Sequence, residues 1–344
     1  MEIKMKQPLR FLRRWVLVVL GSVLVQGAFG QILEVTATIP APEAGPLYVM
    51  PLRCDSHGDI FIRRPPLTQG TPKSESHSES QPFIAKISSD GRRVAAFDLS
   101  AAATDGNPGL LLKTYAVNSD GTLIVLATSK GKNPTLVKFD TDGHYSGSIT
   151  LDVNFEPQQM AAFSDGTFLA AGVVLSKPSP KAEFAPYLAI FDRSGRLANA
   201  IDAPATDPTQ SLVPSRPGTL SLDMATSDGS NVYLVRQGSS PIVVVISQAG
   251  VIDRTLKLSY PYPEAHITGM WVADFNLLVQ YTRPNATPNG RSAFDLVLYN
   301  SQTGEQITSY AKSADPDLAG SLACTDFKGG LRSCLQISRE RRCW

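Results

Sequence analysis

Four polar residues stand at similar positions in an internal repeat, where apolar runs begin: Glu156, Glu264, His266 and Asp317. Carboxylates and an imidazole around one opening could hold a hard cation or orient a polar ligand. These four are the candidate ligand-binding residues. The plainer reading is that charged residues solvate a rim. The other histidines carry less. His57 and His144 border turn glycines, and His77 lies in a Ser-rich stretch. No two histidines have the spacing of a metal-binding HExxH helix. GxSxG, P-loop and Rossmann fingerprints are absent from any context that would use them. No catalytic residue, metal set or cofactor is therefore assigned.

The cysteines suggest a second chemistry. Cys54 and Cys324 fall at one repeat position, within Leu52 to Asp55 and Leu322 to Thr325, where other copies have Val117, Ala162, Ala225 and Trp271. Export permits disulfides, and a Cys54–Cys324 bridge is expected; the alternative is two small buried apolar residues. Cys334 and Cys343 lie close to the C-terminus, Cys343 in a tail of no clear strand pattern.

The elements that must position these residues come from the repeat itself. A polar-x-Gly turn recurs with its middle residue at Asp90, Asp142, Ser194, Ala249 and Thr303, at spacings of 52, 52, 55 and 54 residues. A near-constant period of this size signals a repeat architecture. Each turn joins two apolar runs, and Gly supplies the positive φ that two-residue hairpin turns need. A second hairpin precedes each. Six inner hairpins are read at 47–63, 114–127, 158–174, 220–236, 267–282 and 319–337, and five outer ones at 83–99, 135–151, 187–202, 242–258 and 294–310. Four antiparallel strands per unit of about 50 residues is the pattern of a propeller blade. The expected fold is all-β: a six-bladed β-propeller of four-stranded antiparallel blades. The alternating segment 32–39 is expected to complete the sixth blade and close the ring, which would also cover a sheet edge.

These repeats resemble six-bladed propellers of the NHL-like and gluconolactonase-like superfamily. The resemblance is one of architecture, spans nearly all of the chain after residue 30, and brings no catalytic signature with it. Propellers of this kind include lyases, lactonases and binding modules, so the architecture leaves activity open. A lactonase-type member would hold a divalent ion at the channel mouth with carboxylates and an Asn, the position in which Glu156, Glu264, His266 and Asp317 would then stand.

Connection lengths set the two faces apart. Tight turns close the first-to-second and third-to-fourth strand connections, which share one face. The other face carries the long segments 65–81, 176–186, 203–218 and 283–293. Loops on a rigid scaffold commonly carry binding, although surface insertions are also thermodynamically cheap. A ligand or protein partner is expected on the long-loop face, around the channel mouth.

The chain of 344 residues is only 18% charged and holds 26 glycines and 25 prolines, which suits many short strands. Residues 1–30 carry a net +4 and residues 328–344 another +4; with a total of +1, the remainder carries −7. An acidic body argues against nucleic acid as a partner. Lys4 to Arg14 form a basic n-region, Trp15 to Phe29 an apolar core, and Ala28 and Gly30 place small residues before a cut. The apolar run is shorter than the roughly 18–20 residues that span a bilayer. The expected organisation is a signal peptide at 1–30, a propeller at 31–337 and an irregular tail at 338–344, released into the periplasm or medium with no membrane attachment after cleavage. The function expected is a binding or scaffold protein; the alternative is a metal-dependent lactonase- or lyase-type propeller enzyme.

Overall fold

The computed structural model describes residues 31–32, 39–40, 49–63, 84–88, 90–103, 106, 109–176, 183–201, 225–237, 240–273, 275–283, 293–311, 320–325, 331–337 and 340–343. Two short strands, β1 (Gln31–Ile32) and β2 (Ile39–Pro40), come first. A four-stranded sheet follows: β3 (Val49–Cys54), β4 (Ile60–Arg63), β5 (Ile84–Ile87) and β6 (Arg93–Phe97), then a single helical turn, α1 (Ser100–Ala103). The second sheet is β7 (Leu111–Val117), β8 (Leu123–Thr128), β9 (Thr135–Phe139) and β10 (Tyr145–Thr150). The third is β11 (Glu156–Ala162), β12 (Phe168–Ser176), β13 (Glu183–Phe191) and β14 (Leu197–Ala200). The fourth is β15 (Ala225–Ser227), β16 (Asn231–Arg236), β17 (Ile242–Ser247) and β18 (Ile252–Lys257). The fifth is β19 (His266–Ala273), β20 (Asn276–Arg283), β21 (Ala293–Asn300) and β22 (Gln306–Ala311). The C-terminal strands are β23 (Gly320–Thr325), β24 (Leu331–Ile337) and β25 (Glu340–Cys343).

Five times, then, four consecutive strands form one antiparallel meander. The first strand of each lies beside the first strand of the next, β3 by β7, β7 by β11, β11 by β15 and β15 by β19. That arrangement is a β-propeller with five complete blades, one fewer than the hairpin count predicts. The shortfall has a plain cause. The last repeat copy has no outer hairpin of its own, so its sheet holds three strands from the C-terminus and takes β2 as its fourth. The described ends of segment 32–39 pair with different sheets. Gln31 and Ile32 pair in parallel with Tyr310 and Ala311 of the fifth blade, whereas Ile39 and Pro40 pair antiparallel with Cys343 and Arg342. The tail expected to be irregular contains β25, which pairs with β24. The signal-like residues 1–30 lie outside the described residues.

Apolar layers between neighbouring blades hold the structure together. Phe61, Phe97, Tyr115, Leu123 and Phe139 pack between the first and second blades. Phe155, Met160, Phe168 and Phe191 join the second and third, and Leu169, Ile190, Val232 and Ile246 the third and fourth. Tyr233, Val245, Ile267, Val279 and Tyr299 join the fourth and fifth. The outer strands face water, and all four residues of β14 are exposed. This gradient follows from the design: middle strands are covered on both faces, while the rim covers little.

The repeated turns explain the repeated acids. In the third blade Gly195 N–H donates to the Asp192 carbonyl and Asp192 N–H to the Arg196 carbonyl, both at 2.9 Å. Gly195 has a φ of 76°, and the β13–β14 register slips by one between Ile190 and Phe191. This is a three-residue turn closed by a left-handed glycine and a bulge, rather than the two-residue turn that the glycine suggested. The Asp192 carboxylate accepts the N–H groups of Ser194 and Arg196 at 2.8 and 3.0 Å. Asp140 and Asp55 cap their own turns in the same way. A bond from the Ser194 hydroxyl, above all, holds the Asp192 carboxyl below the usual carboxylate range; at Asp140 the His144 amide is the main cause. The turn acids are therefore occupied by folding.

Candidate functional site

The tight turns between first and second strands converge at one end of the central channel. They are tied to one another there: Ser56 Oγ–H donates to the Ser119 carbonyl at 3.1 Å, and Ser164 N–H to the Gly229 carbonyl at 2.8 Å. Inside this ring of turns lies a cavity of about 270 Å³, walled by the last residues of β3, β7, β11, β15 and β19. Its space comes from side-chain size. Ala116, Ala161, Ala162 and Ala225 occupy wall positions, so the strands surround the channel without filling it. The expected binding face was the other one, with the long loops. Short turns do not seal a channel when the strand ends below them carry alanines.

Arg53 is the main charged feature of the cavity. Its guanidinium, carried on β3, donates from Nη2 to the Ala225 carbonyl on β15 at 2.8 Å. A longer contact runs from Nη1 to its own neighbour's carbonyl, Leu52, at 3.4 Å. Burial lowers its pKa, with the Tyr115 phenol acting the other way. Among the described residues no carboxylate forms an ion pair with it. Trp271 also borders the cavity, and its indole Nε1 is buried without an acceptor. The acids of the wall are engaged elsewhere. Asp55 pairs with Lys86 Nζ at 2.9 Å. Asp228 accepts the N–H groups of Ser230 and Asn231 at 2.9 and 2.7 Å and the Tyr233 hydroxyl at 3.0 Å. A second cavity of about 380 Å³ opens on the same face between the second and third blades, bordered by Lys138, Asp140, Asp165 and Arg193.

Three of the four sequence candidates are described, and none of these three borders this opening. Glu156 begins β11 at the opposite end, where its carboxylate meets Lys113 Nζ at 2.5 Å. Glu264 and His266 are exposed near the start of β19. Asp317 lies outside the described residues, as do most of the segments 65–81, 176–186, 203–218 and 283–293. Among the described residues no three His, Cys, Asp or Glu side chains come together to hold a metal ion. No helix among them is long and apolar enough to cross a membrane. Cys54 is 7% exposed and carries no free thiol. Its repeat partner Cys324 is in β23, beside β3. Sequence reasoning missed Arg53 and Trp271. Their signal was present: an arginine beside Cys54 in an inner strand, and a tryptophan where other copies have Val117, Ala162 and Ala225.

No protein-family model matches the sequence, and no curated protein matches it significantly. Solved structures align with most of the chain. A protein of unknown function from Dyadobacter fermentans is 11% identical over 85% of this chain and 92% of its own, with a TM-score of 0.49. A streptogramin B lyase is 11% identical over 92% of this chain and 96% of its own, with a TM-score of 0.43. BamB from Moraxella catarrhalis is 9% identical over 91% of this chain and 99% of its own, with a TM-score of 0.42. At such identities the likeness is one of general architecture and says nothing about activity.

Proposed function

We propose that this chain is an exported β-propeller that binds a small ligand at the tight-turn mouth of its channel. The observation that carries this reading is the cavity walled by five first strands, with the half-buried Arg53 guanidinium and the buried Trp271 indole N–H beside it. A concave site with a few convergent polar groups is the ordinary form of a ligand pocket. One further feature favours this face. Phe275, in the β19–β20 turn, is 71% exposed and has a φ of 64°. A bulky residue in left-handed backbone costs energy, and such strain gathers where a surface is used. The test is a thermal-shift screen of small molecules against the wild-type chain and Ala162→Leu, which fills the cavity. Compounds that raise the wild-type melting temperature should leave the variant unmoved. A screen in which every active compound shifts both proteins equally would place binding elsewhere.

Ring closure belongs to the same proposal. The sheet of β2 and β23 to β25 would act as a sixth blade, because β23 lies beside both β19 and β3. A Cys54–Cys324 bridge would then lock the first blade to the last, consistent with the missing free thiol at Cys54 and the adjacency of β3 and β23. Removing such a bridge would cost about 2–5 kcal/mol. Non-reducing mass spectrometry of the secreted chain checks export and closure together. The expected result is loss of residues 1–30 and a linked peptide pair containing Cys54 and Cys324. A chain that retains residues 1–30, or links Cys54 to Cys334 or Cys343, would count against it.

A further inference from the structure

We infer that the ligand of the tight-turn cavity is a small organic carboxylate, held by the Arg53 guanidinium and the Trp271 indole N–H. This rests on the reading of the cavity as a binding site and gives that site a chemical class. A guanidinium stays charged in a protein and offers five N–H donors in a planar fork. The described contacts of Arg53 use two of them, both on backbone carbonyls. Arg53 is half-buried, and among the described residues no carboxylate pairs with it, so a negative group from outside would complete the site. The indole N–H of Trp271 is donor-only and buried without an acceptor. Both unfilled positions therefore ask for oxygen acceptors, and one of them asks for charge.

The wall acids do not undo this. Asp55 pairs with Lys86 at 2.9 Å, and the Asp228 carboxylate is held by two amides and the Tyr233 hydroxyl. A metal cation would meet Arg53 with like charge. The volume of about 270 Å³ suits a small ligand. Val117, Phe163 and the alanines give apolar walls, which suit a short carbon skeleton behind a carboxylate better than inorganic phosphate. The planar fork of arginine also matches the two oxygens of a carboxylate.

The experiment is calorimetry on the full mature chain with sodium benzoate, pyruvate, succinate, inorganic phosphate and the neutral analogue benzamide. At least one carboxylate should bind, and where it is benzoate, benzamide should bind about tenfold or more weakly, the size expected for a charge-assisted hydrogen bond. Trp271→Phe keeps the ring and removes only the N–H, and should weaken the carboxylate by about three- to tenfold. Arg53→Gln should weaken it further. Arg53→Gln risks the Ala225 contact, so the comparison of benzoate with benzamide on the wild-type chain stands apart from any folding defect. Equal binding of benzoate and benzamide, or phosphate binding tighter than every carboxylate, overturns the carboxylate class and leaves the cavity a binding site. No binding of any probe at about 50 mM, far weaker than a specific pocket of this size would show, together with no compound separating wild type from Ala162→Leu, overturns both.

Discussion

Lys86→Ala is expected to destabilise the protein by about 3–5 kcal/mol, the cost of leaving a buried charge without its partner. Lys86 is 8% exposed, yet its ammonium sits 2.9 Å from Asp55 Oδ2 and 3.3 Å from Asp59 Oδ2. Burial alone would lower its pKa; the hydrogen bonds and charges of Asp55 and Asp59 outweigh this and leave it raised. Its Nζ also lies 5.6 Å from the Phe61 ring centre, so a cation–π contact adds to the pair. The side chain of Asp55 is fully buried and cannot turn to water when the lysine is removed. Its Oδ1 still caps the turn through His57 and Asp59 N–H, which forces the carboxylate to remain in place. Urea denaturation of wild type and variant measures the loss. A difference below about 1 kcal/mol, the range of surface pairs, would show that water reaches Asp55. The same variant should weaken carboxylate binding, because it frees a negative charge in the cavity wall.

The blades were legible in the sequence and the cavity was not, for one physical reason. A blade is local. Its strands alternate with turns that only certain residues can make, so Gly91, Gly143, Gly195, Gly250 and Gly304 announce themselves by spacing, and each has a positive φ. The N-terminal segment was harder: alternation over 32–39 suggests a strand, but not that its two ends, β1 and β2, pair with different sheets. The channel is not local at all. Arg53 and Ala225 meet across 172 positions of sequence. In its own strand Arg53 reads as one polar residue beside Leu52 and Cys54, and nothing nearby says that it points across the ring. Glu156 and His266 looked more promising because acids and histidines are familiar ligands. The structure puts Glu156 in an ion pair with Lys113 and leaves His266 exposed. What marks the cavity instead is smallness, a run of alanines at equivalent strand ends. Single-sequence reading treats such alanines as unremarkable core.

Two glycines in the second blade separate backbone strain from packing. Gly143 closes the β9–β10 turn with a φ of 92°, and Gly131 lies in the β8–β9 connection with a φ of 73°. Alanine is strained in both conformations. A Cβ on Gly131 would meet nothing within 4 Å, so Gly131→Ala should cost only that strain, about 1–2 kcal/mol. A Cβ on Gly143 would stand 2.4 Å from the carbonyl oxygen of Ala96, in β6 of the first blade. That oxygen is backbone within a strand, since Ala96 pairs with Ala85, and it has little room to move. Gly143→Ala should therefore add the cost of prising two blades apart, for a total of about 3–5 kcal/mol. Melting temperatures of the two variants measured side by side give the comparison. Equal losses would mean that the turn glycine serves only its own hairpin. A clear excess at Gly143 would mean that the repeat conserves its turn because the neighbouring blade packs against it, which ties the most legible feature of the chain to the assembly of the ring.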